Sequence, residues 1–90
     1  MRRVVKFSAR WCGPCKMYAP TFQRVAEDRT DLDFISIDID DDPEAKVRHG
    51  VLSVPTTIIL DGEEELNRIV GAQSTVRLTK FVDDTLSSRM

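Results

Sequence analysis

The chain has 90 residues, 41% hydrophobic and 31% charged, with only 4 Gly and 4 Pro, which excludes a disordered chain, a collagen-like repeat and a low-complexity linker. No apolar run exceeds three residues (Ile58-Ile59-Leu60), so no membrane helix is expected, and the early Lys6 leaves no apolar core for a signal peptide. A net charge of −2 from 13 basic and 15 acidic side chains argues against nucleic-acid and polybasic membrane binding, so the expectation is one cytoplasmic domain over residues 1–90.

In chain order, Arg3-Val4-Val5-Lys6-Phe7-Ser8-Ala9 is short and β-branched and predicts a strand. It stops at Arg10-Trp11-Cys12-Gly13-Pro14-Cys15. Beyond Pro14, apolar residues at Cys15, Tyr18, Ala19, Phe22, Val25 and Ala26 have the three-and-four spacing of an amphipathic helix. Pro14 suits its first turn, and Pro20 is expected to kink it. Phe34-Ile35-Ser36-Ile37-Asp38-Ile39 alternates with period two and predicts a second strand.

Asp42-Pro43-Glu44 has the cap, proline and acid of a helix start, and the helix should end near His49-Gly50. Thr56-Thr57-Ile58-Ile59-Leu60 is a third strand. Asp61-Gly62 is a hairpin-turn dipeptide leading to a fourth strand around Leu66 to Val70. Leu78, Phe81, Val82, Thr85 and Leu86 then share one face of a closing helix. The order βαβαββα implies a parallel pair joined by a right-handed crossover, followed by an antiparallel pair. The expected fold class is α/β, with a mixed four-stranded sheet flanked by helices.

The two cysteines, Cys12 and Cys15, form a Cys-x-x-Cys between a strand and a helix. Helix N-terminal N–H groups and the helix dipole favour a thiolate on the first cysteine. The second, one turn on, is close enough to close a disulfide. Gly13 and Pro14 keep the intervening turn tight.

Trp11-Cys12-Gly13-Pro14-Cys15 resembles the active site of the thioredoxin family, a pentapeptide expected by chance in about one such chain in a million. The likeness continues through Lys16-Met17-Tyr18-Ala19-Pro20, Val54-Pro55-Thr56, Asp61-Gly62 and Gly71-Ala72, and so spans nearly the whole chain. It implies a minimal thioredoxin-like fold and a dithiol–disulfide oxidoreductase that reduces protein disulfides. On that resemblance Cys12 is the nucleophile and Cys15 the buried resolving thiol. Val54 offers backbone hydrogen bonds to a substrate strand, Pro55 is a cis-proline against the dithiol, and Trp11, Gly71 and Ala72 complete an apolar platform. No bound cofactor is implied. Electrons come indirectly from NADPH through a thioredoxin reductase, and the partners are disulfide-containing proteins such as ribonucleotide reductase or peroxide-removing enzymes. A monomer is the default.

The sequence departs from the family pattern at three positions. The chain begins where a typical member has already formed one strand and one helix, so its size is nearer a glutaredoxin. Lys6 stands where the family usually buries an Asp beneath the resolving cysteine, and Ser36 where it commonly carries a Lys. Lys6 either stabilises thiolates and tunes the potential, or reaches solvent or pairs with Asp38. Ser8 replaces a frequent large aromatic, which suggests a more open platform.

Two alternatives remain at this point: a glutaredoxin-like protein recharged by glutathione, and a binding subunit of the same fold with incidental redox activity. Zinc on Cys12 and Cys15 lacks two further ligands, and His49 is read as a surface residue at a helix end. The acidic run Asp38 to Asp42 does not fit a calcium loop, because Pro43 and His49 stand where Gly and Glu are needed. It is read as a helix cap and a solvated strand end, and no metal site is expected.

Overall fold

Seven elements follow one another in the computed structural model, which describes residues 1–88: β1 (Arg2–Ser8), α1 (Gly13–Asp28), β2 (Asp33–Asp38), α2 (Pro43–Arg48), β3 (Thr56–Asp61), β4 (Glu64–Val70) and α3 (Thr75–Ser87). They form one mixed sheet in the order β2-β1-β3-β4. β1 runs parallel to β2 and antiparallel to β3, and β3 runs antiparallel to β4. The parallel β1–β2 pair, the antiparallel β3–β4 pair and the mixed four-stranded sheet are those expected from the element order, while the strand order and the β1–β3 pairing come from the structure.

β1 and β3 are central, and apolar layers cover both faces, so their sequences read as nearly continuous buried runs rather than clean alternations. Period two still sorts their side chains. Val5, Phe7, Ile58 and Leu60 face the side where Ala45 of α2 and the two cysteines pack. Val4 and Ile59 face the other side, against Tyr18, Phe22 and Val25 of α1 and Leu78 and Val82 of α3. The cysteine end of α1 therefore sits over the end of the central strand β1.

The helix boundaries have local causes. Asp42 Oδ1 accepts the Ala45 N–H at 3.1 Å and caps α2. At the other end Gly50 takes φ 60°, its N–H donates to Val47 O at 3.1 Å, and the Val51 N–H donates to Lys46 O at 3.0 Å. That pair of bonds is a Schellman ending, which needs the left-handed residue at Gly50. Ser74 Oγ caps α3 by accepting the Arg77 N–H. Pro20 lies inside α1, which continues past it to Asp28.

Two expectations shift. Asp61 belongs to β3 and pairs with Glu64, so the hairpin loop is Gly62-Glu63. Gly62 alone has positive φ, at 63°, the pattern of a II′ loop. β4 accordingly starts at Glu64 rather than near Leu66. Its register shifts by one residue between the Ile59 and Leu60 pairs, a bulge that no periodicity count anticipates.

Arg68 of β4 ties this hairpin to the loop that leads toward Pro55. Its guanidinium donates to both Glu65 carboxylate oxygens at 2.7 Å and to the carbonyl oxygens of His49 and Gly50. The hydrogen bonds from Arg68 hold the Glu65 carboxyl below its usual range. A folded pKa below the unfolded one contributes stability above the unfolded value, and that contribution is lost as pH falls through the folded one. Glu65→Gln should therefore lower the urea midpoint at neutral pH and show a shrinking difference from the parent as the medium is acidified. An equal difference at both ends of the titration would contradict the clamp.

Candidate active site

β1 ends at Ser8, and the chain turns at once: the Cys12 N–H donates to Ala9 O at 3.2 Å. Cys12 is the N-cap of α1, with φ −94° and ψ 114°. Its carbonyl accepts the Lys16 N–H at 3.2 Å, and its sulfur accepts the Cys15 N–H at 3.2 Å. A sulfur thus stands where a capping Ser or Asp oxygen would usually sit. The first turn carries no acidic residue, so nothing there opposes negative charge on that sulfur. Cys12 and Cys15, with Cα atoms 5.2 Å apart, are joined as a disulfide.

The loop before β3 closes over this turn. Cys12 Sγ lies 3.7 Å from Val54 O, and the Val54–Pro55 peptide is cis. Pro55 is buried, and its carbonyl accepts the Gly71 N–H at 2.8 Å. Gly71 has φ 96°, where a side chain would be strained. Ala72 follows, exposed. These contacts bring Cys12, Val54, Pro55 and Gly71 together.

Large apolar groups around it stand in water: Trp11 is 68% exposed and Leu52 95%. With Val54 they line a shallow pocket of about 130 Å³ beside Cys12. Apolar side chains exposed together in this way are a common feature of interaction surfaces. Leu52 was not anticipated, because a lone Leu between Val51 and Ser53 carries no periodic signal.

The acidic run does more than cap α2. Trp11 Nε1 donates to Asp40 Oδ2 at 2.9 Å. Arg10 reaches both Asp41 oxygens, at 2.8 and 2.9 Å, and Asp38 Oδ2 at 3.4 Å. Asp38 Oδ1 accepts the Asp40 N–H. The parallel register that sets Ser8 beside Asp38 brings the Arg10-Trp11 donors to these acceptors. Donors next to the dithiol and acids just after the paired strand were both visible, but only the register connects them.

Lys6 is 5% exposed, and its Nζ lies 5.1 Å from the centre of the Phe22 ring. It forms no ion pair among the described residues; Asp38 is bridged to Arg10 instead, so the pairing of Lys6 with Asp38 is not made. Burial pushes the Lys6 pKa down. Lys6, Ser8, Asp38 and Cys15 border a cavity of about 170 Å³. Ser36, opposite Lys6 in the parallel ladder, is exposed. His49 is half-buried, its ring 5.6 Å from that of Phe7, rather than a plain surface residue. Among the described residues no three His, Cys, Asp or Glu side chains are grouped so as to hold a metal ion.

The thioredoxin family model matches residues 1–84. The chain belongs to the thioredoxin family. It is 39% identical over 84 residues to a thioredoxin of Mycobacterium tuberculosis, covering 92% of this chain and 72% of that one. It is equally identical to part of a bifunctional thioredoxin reductase/thioredoxin of Mycobacterium leprae, of which the match covers 18%. The X-ray structure of Fasciola hepatica thioredoxin superposes with a TM-score of 0.87 at 30% identity, over 93% of this chain and 80% of that one. With its Cys12–Cys15 disulfide, the chain is a thioredoxin-like thiol–disulfide oxidoreductase and a disulfide reductase.

Trp11 is the sole tryptophan, so its fluorescence reports on this site alone. Asp40→Ala should free the indole, lowering its steady-state anisotropy and slowing disulfide reduction several-fold with the fold intact. Unchanged anisotropy would mean that the Asp40 bond does not hold the ring.

Proposed function

We propose that this protein reduces disulfides of other proteins in the cytoplasm, as a monomer fed by NADPH through a thioredoxin reductase. Cys12 thiolate attacks a substrate disulfide, one substrate sulfur leaves as thiolate, and a mixed disulfide forms at Cys12. Cys15 then attacks the Cys12 sulfur and releases the second substrate thiolate, leaving the Cys12–Cys15 disulfide. The observation that carries this order is the Cys15 N–H aimed at the Cys12 sulfur. Both cysteines are almost equally buried, at 5% and 3% exposure, so accessibility does not choose between them. The helix end does, together with the docking face on the Cys12 side.

Val54 offers its backbone to an extended substrate segment. Trp11, Pro55, Gly71 and Ala72 support it, while Gly13 and Pro14 fix the turn that holds Cys12. The bifunctional Mycobacterium leprae protein supports the choice of electron donor, since its name joins a reductase to a thioredoxin. By family association, ribonucleotide reductase and those peroxide-removing enzymes that form a disulfide in turnover are candidate substrates.

Insulin reduction with NADPH and a thioredoxin reductase as the sole electron source tests this reading. Turnover is expected, falling to the uncatalysed background in Cys12→Ser. Turnover with dithiothreitol or glutathione but none with the reductase would overturn the assignment of the donor.

A further inference from the structure

We propose that Lys6 is the positioning residue of the resolving step, its ammonium serving as the standing counter-charge of the Cys15 thiolate. The inference rests on the reading of Cys15 as the resolving sulfur. The alternation of β1 puts Lys6 on the α1 side of the sheet, between Val4 and Ser8, opposite Thr57 of β3. There it is a cation nine-tenths buried with no carboxylate in ion-pair range among the described residues. No fully buried polar side-chain atom among the described residues lacks a partner, so Nζ, which has no ion pair, keeps contact with solvent while it also lies over the Phe22 ring. The cavity that Lys6 borders has Cys15 in its wall.

In the disulfide no negative charge exists at Cys15. Reduction, or opening to the mixed disulfide, creates one in the wall of the cavity that this cation borders, so the attraction appears only in those states. Cys15 thiolate then attacks the Cys12 sulfur, the bond from Cys12 to the substrate sulfur breaks, and its electron pair leaves on the substrate as thiolate. Lys6 exchanges no proton, and the step needs no carboxylate base. The same preference favours the reduced protein and makes it a stronger oxidant.

The other groups facing Lys6 do not cancel the effect. Asp38 of β2 also lines the cavity but is paired with Arg10, which it shares with Asp41, and Lys16 of α1 adds positive charge at the cavity wall. Tyr18 of α1 stays neutral, because burial raises its pKa while its hydroxyl bonds with Thr57 Oγ1 at 2.8 Å. Burial also lowers the Lys6 pKa, so the effect fades at a lower pH than it would for a freely solvated lysine.

The test is the ultraviolet thiolate absorbance of Cys15 against pH in a Cys12→Ser background, with and without Lys6→Met. The thiolate fraction at neutral pH should fall about tenfold in Lys6→Met and be retained in Lys6→Arg, with Lys6→Gln as a second neutral variant should Met disturb the packing. With both cysteines present, the equilibrium with glutathione should move about tenfold toward the disulfide in Lys6→Met, equal to about 30 mV. An unchanged Cys15 titration in a folded neutral variant would overturn the proposal. So would an equal shift at Cys12 in a Cys15→Ser background. No reductase enters these titrations, so failure of the insulin assay and failure of this proposal are separate results.

Discussion

One hydrogen bond, from the Cys15 N–H to the Cys12 sulfur at 3.2 Å, organises the chemistry of this chain. It makes a sulfur the N-cap of a 16-residue helix, so the group that ends the helix is also the group that reacts. The fold serves that placement. β1 delivers Cys12 to the end of a central strand, and α1 packs along its length on Tyr18, Phe22 and Val25. The helix end therefore cannot move without disturbing the core. A thiolate at such a position is stabilised before any substrate arrives.

Around this centre the charges have separate tasks. Asp38, Asp40 and Asp41 grip Arg10 and Trp11 in front of the dithiol, while Lys6 lies behind it without a carboxylate partner. The front contacts are exposed, and salt and side-chain entropy hold each of them to a modest worth. The rear side chain is largely buried, and its cation borders the cavity that has Cys15 in its wall. On the readings proposed above, substrate docks at the front and the rear cation acts on the second sulfur.

Much of this was legible in the sequence because local rules and the fold agreed. Asp42-Pro43 and Gly50 marked the ends of α2 by capping chemistry, and Pro14 marked the start of α1. The Cys-x-x-Cys and Val54-Pro55 segments identified the site. What escaped needed tertiary register. Asp40 reads as a solvated acid until the parallel pairing of β1 with β2 sets it under Trp11, and Arg68 reads as a strand surface residue until it meets the end of α2. The β4 bulge breaks the period on which strand reading depends. Lys6 was singled out as an anomaly, but a choice among its partners required knowing that Arg10 had already taken Asp38.

The most direct measurement of the central claim is trapping of the mixed disulfide, followed by intact mass spectrometry after reaction with a disulfide-linked peptide. Cys15→Ser should accumulate a covalent adduct at Cys12, which cannot be resolved within the protein. Cys12→Ser should remain unmodified under the same conditions, because its remaining thiol lies behind the helix end rather than at it. Equal rates of adduct formation in the two variants would contradict the account.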